Sequence, residues 1–337
     1  MTHLDNPKLP KVHSYIDVPV AVGVEDFSKV PTVLVAASDA TDKVKQYADF
    51  VCTGSNDDAT IESAIDSLPT SGGRVVLSEG TFTFGSSLNI MKSNITLEGS
   101  GFATLIQGAI SGNYILVGDG STALSNIKIC NLRINGGGLD TVLSGINIYG
   151  GLNYEISNCI IENCFVEGCW SYDIVAYYLI KSNIIGNVCQ TSHYEGMGIF
   201  DSNNNVIARN KFISNGGNGF LSMDSNNNIM VGNIFQSNDS HGINLDSSNY
   251  NILIGNIFKD NSQSANNSYD DIILGSSNYN VISSNSMVAT ATNKTRYAVN
   301  ESGSDYNLVI GNFCTGQVSG KINLTGANSL AVNNLEV

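Results

Sequence analysis

The sequence predicts an all-β chain wound as a right-handed parallel β-helix, a solenoid, with an N-terminal capping α-helix. Three observations carry that expectation: an asparagine-framed unit recurring through the second half, a composition poor in charge and proline, and one amphipathic helix ahead of the repeats. The unit is plainest at Asn205–Asn210, Asn228–Asn233, Asn251–Asn256, Asn280–Asn285 and Asn307–Asn312, with weaker copies at Asn126–Asn131 and Asn158–Asn163. Successive starts from Asn205 are 23, 23, 29 and 27 residues apart, the length of one solenoid coil with variable loops.

Two or three short strands per coil cannot bury their inward side chains alone. Each coil therefore stacks on the next, and equivalent positions fall into columns spaced by about 4.8 Å. Val206, Ile229 or Met230, Ile252 and Val281 are expected to fill one inward column, and Phe212, Phe235 and Phe258 another. Cys189 and Cys314 hold the phenylalanine position in their own coils. The repeated asparagines are expected at turns, where αL backbone is tolerated and amides hydrogen-bond from coil to coil. A second short apolar run precedes each unit, as in the segments beginning at Gly219, Gly242 and Asp271. A leucine-rich horseshoe or a propeller, with about forty residues per blade, would show a different period.

Within residues 57–69, Ile61, Ala64, Ile65 and Leu68 share one helical face; Asp57 or Asp58 is placed to cap the start, and Pro69 stops the helix. A stacked solenoid exposes an apolar end with unpaired strand edges, so this helix is expected as its lid. Residues 1–50 read as an extended N-terminal arm and lead-in, with four of the five prolines before residue 36. Residues 51–337 read as the β-helix, capping helix included.

Hydrophobic residues make up 42 % of the chain and charged residues 14 %, too apolar for disorder and too sparsely charged for a helical surface protein. A formal net charge of −14 repels phosphate backbones and anionic lipid, which argues against nucleic-acid and membrane partners. No apolar stretch is long enough to span a bilayer, and residues 1–10 lack the apolar core of a secretory signal. The expectation is a soluble chain; an extracellular or virion-surface setting fits a glycan-facing solenoid. The seven cysteines form no CxxC pair and read as buried thiols, although Cys159, Cys164 and Cys169 lie close enough in sequence to include a disulfide or a metal ligand.

The run Gly54–Asp58, then Ile61–Leu68, Gly72–Leu77, Glu79–Phe82 and Ser93–Gly101, resembles the first-coil module of the pectate-lyase-like β-helix superfamily. The later asparagine-rich coils resemble that superfamily's generic right-handed repeats, so the likeness covers roughly residues 50–335. It implies the fold and a group of activities: polysaccharide lyases, glycoside hydrolases, uronate epimerases and phage tailspikes. The segments Gly196–Asp201, Asn218–Phe220 and Asp239–Ile243 are similar in outline to mannuronan C5-epimerase modules, without that family's Tyr-Gly-Phe-Asp-Pro-His motif. The polygalacturonase signatures Asn-Thr-Asp, Gly-His-Gly and Arg-Ile-Lys, and the calcium-and-arginine signature of pectate lyases, are missing too.

Candidate chemistry is therefore read by position. Asp201, Asp224 and Asp246 follow the second apolar run in three successive coils and are expected to form a column. Carboxylates about 5 Å apart support a retaining glycosidase and about 6.5 to 9.5 Å an inverting one. Stacked like charges also raise one another's pKa, or bind Ca²⁺ between them; no other metal or cofactor is indicated. The plainer account is that aspartate is a good turn residue. His193, Tyr194 and Glu195 lead into the same coil, and His241 precedes the equivalent strand two coils on; histidine or tyrosine beside a carboxylate suits acid–base work. Arg209 and Lys211 are placed to neutralise a uronate, or are solvated charges. Trp170, Tyr172, Tyr177 and Tyr178 cluster one coil before His193, and Tyr250, Tyr269 and Tyr279 recur later, as faces for pyranose rings or as packing. The expected partner is a polysaccharide or oligosaccharide, cleaved by a hydrolase or lyase centred on residues 170–246. The alternatives are a non-catalytic receptor-binding fibre or adhesin, assembled as a homotrimer, and a uronate C5-epimerase.

Overall fold

The computed structural model describes residues 30–337. Each full coil lays one strand on each of three parallel sheets. Sheet A has 13 strands, sheet B 11 and sheet C 10, and a smaller sheet adds 3. One winding runs Val206–Ala208 on sheet A, Lys211–Ile213 on B and Phe220–Met223 on C before returning to A at Ile229–Val231. Neighbouring coils pair in parallel register with the sequence period, as stacking demands.

The core is three sets of columns. On sheet B, Cys189, Phe212, Phe235, Phe258, Met287 and Cys314 stand in one register and are fully buried. Phe212, Phe235 and Phe258 stack with ring centroids 5.0 and 4.9 Å apart, the strand repeat itself. On sheet A the inward column is Ile207, Met230, Leu253, Ile282 and Val309. This corrects the expected column: Val206, Ile229, Ile252 and Val281 face outward. The reason is the alternation of strands. Asn205 is itself buried, so the residue after it points out and the next points in.

The asparagine repeats are also one residue out of phase with their early copies. Asn126, Asn131, Asn158 and Asn163 have φ of 58°, 57°, 54° and 53° and so occupy the αL corner, whereas Asn205 aligns with Ser182 and Cys159, the residues just after such corners. The repeated asparagines are not the αL residues; they follow them, pointing inward.

Helix α1 spans Asp42–Tyr47 and helix α2 spans Asp57–Ser67. Ile61, Ala64, Ile65 and Leu68 are buried in the common core, and Leu68, ahead of Pro69, is already extended. Asp57 and Asp58 do not cap the helix. Asp57 accepts from the N–H groups of Thr53, Gly54 and Thr83 at 3.2, 2.9 and 2.8 Å, and Asp58 from Gly85 N–H and the Ser86 hydroxyl at 2.7 and 2.6 Å. Both carboxylates tie loops of the first coil to the helix start. The expected boundary after residue 50 also moves, because Thr32–Ala36 pairs with Gly73–Leu77 and with Phe50–Val51. Sheet A thus runs two strands beyond Gly73–Leu77, and those strands, rather than the helix, continue that edge. Residues 1–29 of the expected arm lie outside the described residues.

Candidate functional site

Sheet C is the face on which the predicted site residues converge. Its outward positions run Tyr149, Tyr177, Phe200, Met223 and Asp246 in one register, and Tyr172 beside Glu195 in another. Tyr177 stacks on Phe200 at 4.8 Å, while Tyr149 and Tyr172 meet Tyr177 and Phe200 edge-on at 5.6 and 5.9 Å. Gly198 makes the strip possible. A Cβ there would stand 2.7 Å from Tyr172 Cε1 and 3.0 Å from Phe200 Cε2, so any side chain would lift both rings. The result is a band of partly exposed rings across three coils.

At one end of this band stands an aromatic wall. The rings of Trp170 and His193 are stacked at 3.8 Å and 5°, and Tyr194 closes on both edge-on at 5.9 and 4.8 Å. Thr191, His193, Tyr194, Ser214 and Asp239 line a cleft of about 470 Å³ beside it. Glu195 opens the next strand, with Asn218 Nδ2 donating to its Oε1 at 3.4 Å. Burial pushes the carboxyls of both Glu195 and Asp239 above the usual carboxylate range. Beside Glu195, the Tyr172 phenol is pushed up by burial first and by the Glu195 charge second.

From Glu195 a polar chain runs along this edge of sheet C. Asn218 Oδ1 accepts from His241 N–H at 3.1 Å, and His241 Nδ1 accepts from Asp270 N–H at 2.9 Å. That bond sets His241 as the neutral Nε2–H tautomer. Burial lowers its pKa to about 4, outweighing the raising effect of Asp270. His241 is therefore a wedged, uncharged acceptor, edge-on to Tyr269 at 5.1 Å, and not a surface base. Asp270 is fully buried and receives Arg296 bidentately at 3.0 and 2.7 Å, plus Tyr297 N–H at 3.1 Å and Asn300 Nδ2 at 3.0 Å. Beyond it, Asn244, Asp246, Arg296, Tyr297, Asn300 and Asn323 line a second cleft of about 520 Å³.

The expected aspartate column is only two deep. Asp201 and Asp224 occupy the same exposed αL corner, with φ of 49° and 51°, but the residue in that corner in the next coil is Ser247, and Asp246 pairs with Met223 on the sheet face. The coil length is unchanged, 23 residues from Asp224 to Ser247, but Asp246 stands one position before the corner, which puts it on the sheet face. Arg209 sits at the αL corner between sheets A and B, and Lys211 on the outer face of sheet B, so neither reaches sheet C. Tyr250, Tyr279 and Tyr306 stack on one another at 4.9 Å, turning edges rather than faces to solvent. Trp170, Tyr172, His193, Tyr194 and Glu195 do come together.

Asp270, Arg296, Asn300, Asn218 and Asp239 were not foreseen as site residues. The signal was a doublet: Asn218–Gly219, His241–Gly242 and Asp270–Asp271 are register-equivalent, but the six extra residues of the last coil hide it. Among the described residues no group of three or more His, Cys, Asp or Glu side chains is arranged to hold a metal ion, and no helix is long and apolar enough to cross a membrane.

The family pattern described as the right handed beta helix region matches residues 52–258. By structure, the chain is similar to the A-module of a mannuronan C-5 epimerase from Azotobacter vinelandii, with 19 % identity over 85 % of this chain and 97 % of that one, and a TM-score of 0.61. It is similar to ORF18 of Geobacillus virus E2, with 20 % identity over 82 % of this chain and 58 % of that one, and a TM-score of 0.70. It is also similar to a DFA-IIIase from Arthrobacter chlorophenolicus, with 12 % identity over 88 % and 93 %, and a TM-score of 0.64. At these identities the likeness is one of fold. Curated proteins yield no match to the sequence.

Proposed function

This chain belongs to the right-handed β-helix family, and from that premise we propose that it binds an extended glycan across the outer face of sheet C and hydrolyses a glycosidic bond there. One observation carries the reading. Burial raises the carboxyls of Asp173, Glu195, Asp239 and Asp271; Asp173 and Asp271 are buried in the solenoid, whereas Glu195 and Asp239 open outward beside the wall of Trp170, His193 and Tyr194. A carboxyl whose proton is held more tightly through burial is suited to general-acid work. Glu195 donates its proton to the departing glycosidic oxygen as the bond to the anomeric carbon breaks. Asp239 lies two coils further on, in the register of His193, and takes the proton from the water that adds to that carbon. The rings of Tyr149, Tyr177 and Phe200 carry the rest of the chain by stacking.

The test is a panel of polysaccharides assayed for new reducing ends and, separately, for unsaturated uronate ends. Glu195→Gln is expected to lower the rate by at least about a hundredfold, with Tyr177→Ala weakening binding instead. Turnover unaffected by both Glu195→Gln and Asp239→Asn would end the assignment.

A receptor-binding fibre is the second reading, favoured by the outer face of sheet A. There Ile229, Val231, Ile252 and Ile254 are more than one-third exposed on neighbouring coils, and so is Leu330 three coils further on. A stable homotrimer that cleaves no glycan in the same panel would favour it.

A further inference from the structure

We infer that the glycan taken by sheet C is uncharged, so that the reaction is hydrolysis of a neutral polysaccharide and not elimination or epimerisation of a uronate polymer. The inference rests on the glycan-binding reading above and narrows its substrate class.

Its basis is where the cations are. Among the described residues, none of the ten strands of sheet C contains a lysine or an arginine, while its outward positions include Glu195 and Asp246 and its corner Asp201 and Asp224. The cations of the strands lie on the other two sheets: Arg74 and Lys128 on A, and Arg133, Lys211 and Lys259 on B. Three of these are paired there, Arg74 with Glu98, Lys128 with Glu162 and Arg133 with Glu167. Arg296 lines the second cleft, and two of its nitrogens are committed to the buried Asp270; Lys321, just before the strand Ile322–Asn323, donates to Gln317 O at 3.5 Å. Lys181 stands at an exposed αL corner past Tyr178, on the turn toward sheet A.

A uronate polymer brings one carboxylate per ring, and a groove spanning several coils would meet several of them against a row of like charge. Elimination and C5 epimerisation add a further demand. Removing the C5 proton pushes a second negative charge into the carboxylate, which a cation or strong donor must receive. Sheet C offers rings, amides from Asn147 and Asn244, and carboxylates, the equipment for hydroxyls and pyranose faces.

The full chain is tested by affinity electrophoresis and calorimetry against matched polymers: polygalacturonate, alginate and each one's carboxyl-reduced form, together with neutral xylan, mannan and galactan. Carboxyl reduction keeps the linkage and removes only the charge. Neutral polymers are expected to bind with little dependence on salt, and an acid polymer at least about tenfold more weakly than its reduced form, the gap closing as salt rises. Asn244→Arg, read with a thermal melt to confirm folding, is expected to narrow that gap. An acid polymer bound as tightly as its reduced form, or tighter, overturns the inference and leaves the glycan reading standing. Binding of neither kind overturns the glycan reading itself.

Discussion

The early and late coils solve the same corner in opposite ways. Where the chain turns from sheet A to sheet B, one inward position repeats through Leu132, Cys164, Asn187, Asn210, Asn233, Asn256, Asn285, Asn312 and Asn334. The turn into sheet A repeats likewise, from Ile127 and Cys159 through Ser182 to Asn205 and onward. Early coils fill the corner with apolar atoms. Late coils fill it with amides whose every group is paired: Asn210 Nδ2 reaches Ile184 O at 2.8 Å and Asn233 Oδ1 at 3.1 Å, while its Oδ1 accepts from the N–H and Nδ2 of Asn187 at 2.9 and 3.0 Å. A satisfied buried network is stable only while complete, whereas an apolar corner degrades gradually.

The comparison therefore breaks or holds on Asn233→Ala. Removing that side chain strands the buried Asn210 N–H, takes the second donor from Ile207 O, which keeps its strand bond, and interrupts the amide ladder. The expected loss is on the order of 5 kcal/mol, from one orphaned backbone N–H and the four hydrogen bonds that the Asn233 side chain makes. Urea unfolding measures it; a loss under about 1 kcal/mol would mean that the amide columns are ornament to the packing.

The next largest effect lies where a third ladder ends. Asn215, Asn238 and Asn261 continue one another, and Asn261 Nδ2 then donates to Asp271 Oδ1 at 3.2 Å. Thr295 Oγ1 and Gln317 Nε2 donate to Asp271 Oδ2 at 3.3 and 3.1 Å, yet burial outweighs these bonds and pushes the carboxyl up to about 7. The folded state thus holds a proton that the unfolded chain releases near pH 4. Stability is full below that value and falls as pH rises toward 7, by as much as about 4 kcal/mol. Asp271→Asn is expected to flatten the pH dependence of thermal melts between about pH 4 and 7, and to gain most at the upper end. Gln317 Oε1, buried and without a partner, is an acceptor that the new amide can use. A pH dependence unchanged by this substitution would place the proton elsewhere.

The same contrast explains what the sequence discloses. Amide columns are spelled in one letter at fixed spacing, so the late coils, the Phe212–Phe258 stack and the coil length are legible directly. The early coils build the same corners from Ile127, Leu132, Cys159 and Cys164, and apolar residues occur everywhere, so their period is silent. Phase was the other loss. Asn158 and Asn205 look alike as letters, but one is an αL corner and the other an inward amide, which shifted Val206 and Ile229 to the wrong side. The clustering of Trp170, Tyr172, His193, Tyr194 and Glu195 was legible because they are near one another in sequence. Asp270 and Arg296 were hidden by loops whose lengths differ from coil to coil, since equivalence there is set by register and not by residue count.

The smallest expected effect sharpens the comparison from the early side. Cys164 donates its thiol to Ile129 O at 3.7 Å, the counterpart of the carbonyl that Asn187 Nδ2 reaches at Ile161 in the next coil, and its own N–H is received by Asn187 Oδ1 at 2.9 Å. It marks the transition, apolar in packing and already aligned with the ladder. Cys164→Ala keeps the backbone bond, loses a weak thiol contact and leaves a small cavity, for an expected cost of about 1 to 2 kcal/mol. All seven cysteines are buried and unpaired, and burial pushes the Cys130 and Cys159 thiols up to about 11, so none should react with a thiol reagent until the solenoid opens. Thiol release during urea unfolding then reads each corner as it opens. If Cys164→Ala costs as much as Asn233→Ala, the amide and apolar corners are equivalent after all, and the division between early and late coils fails.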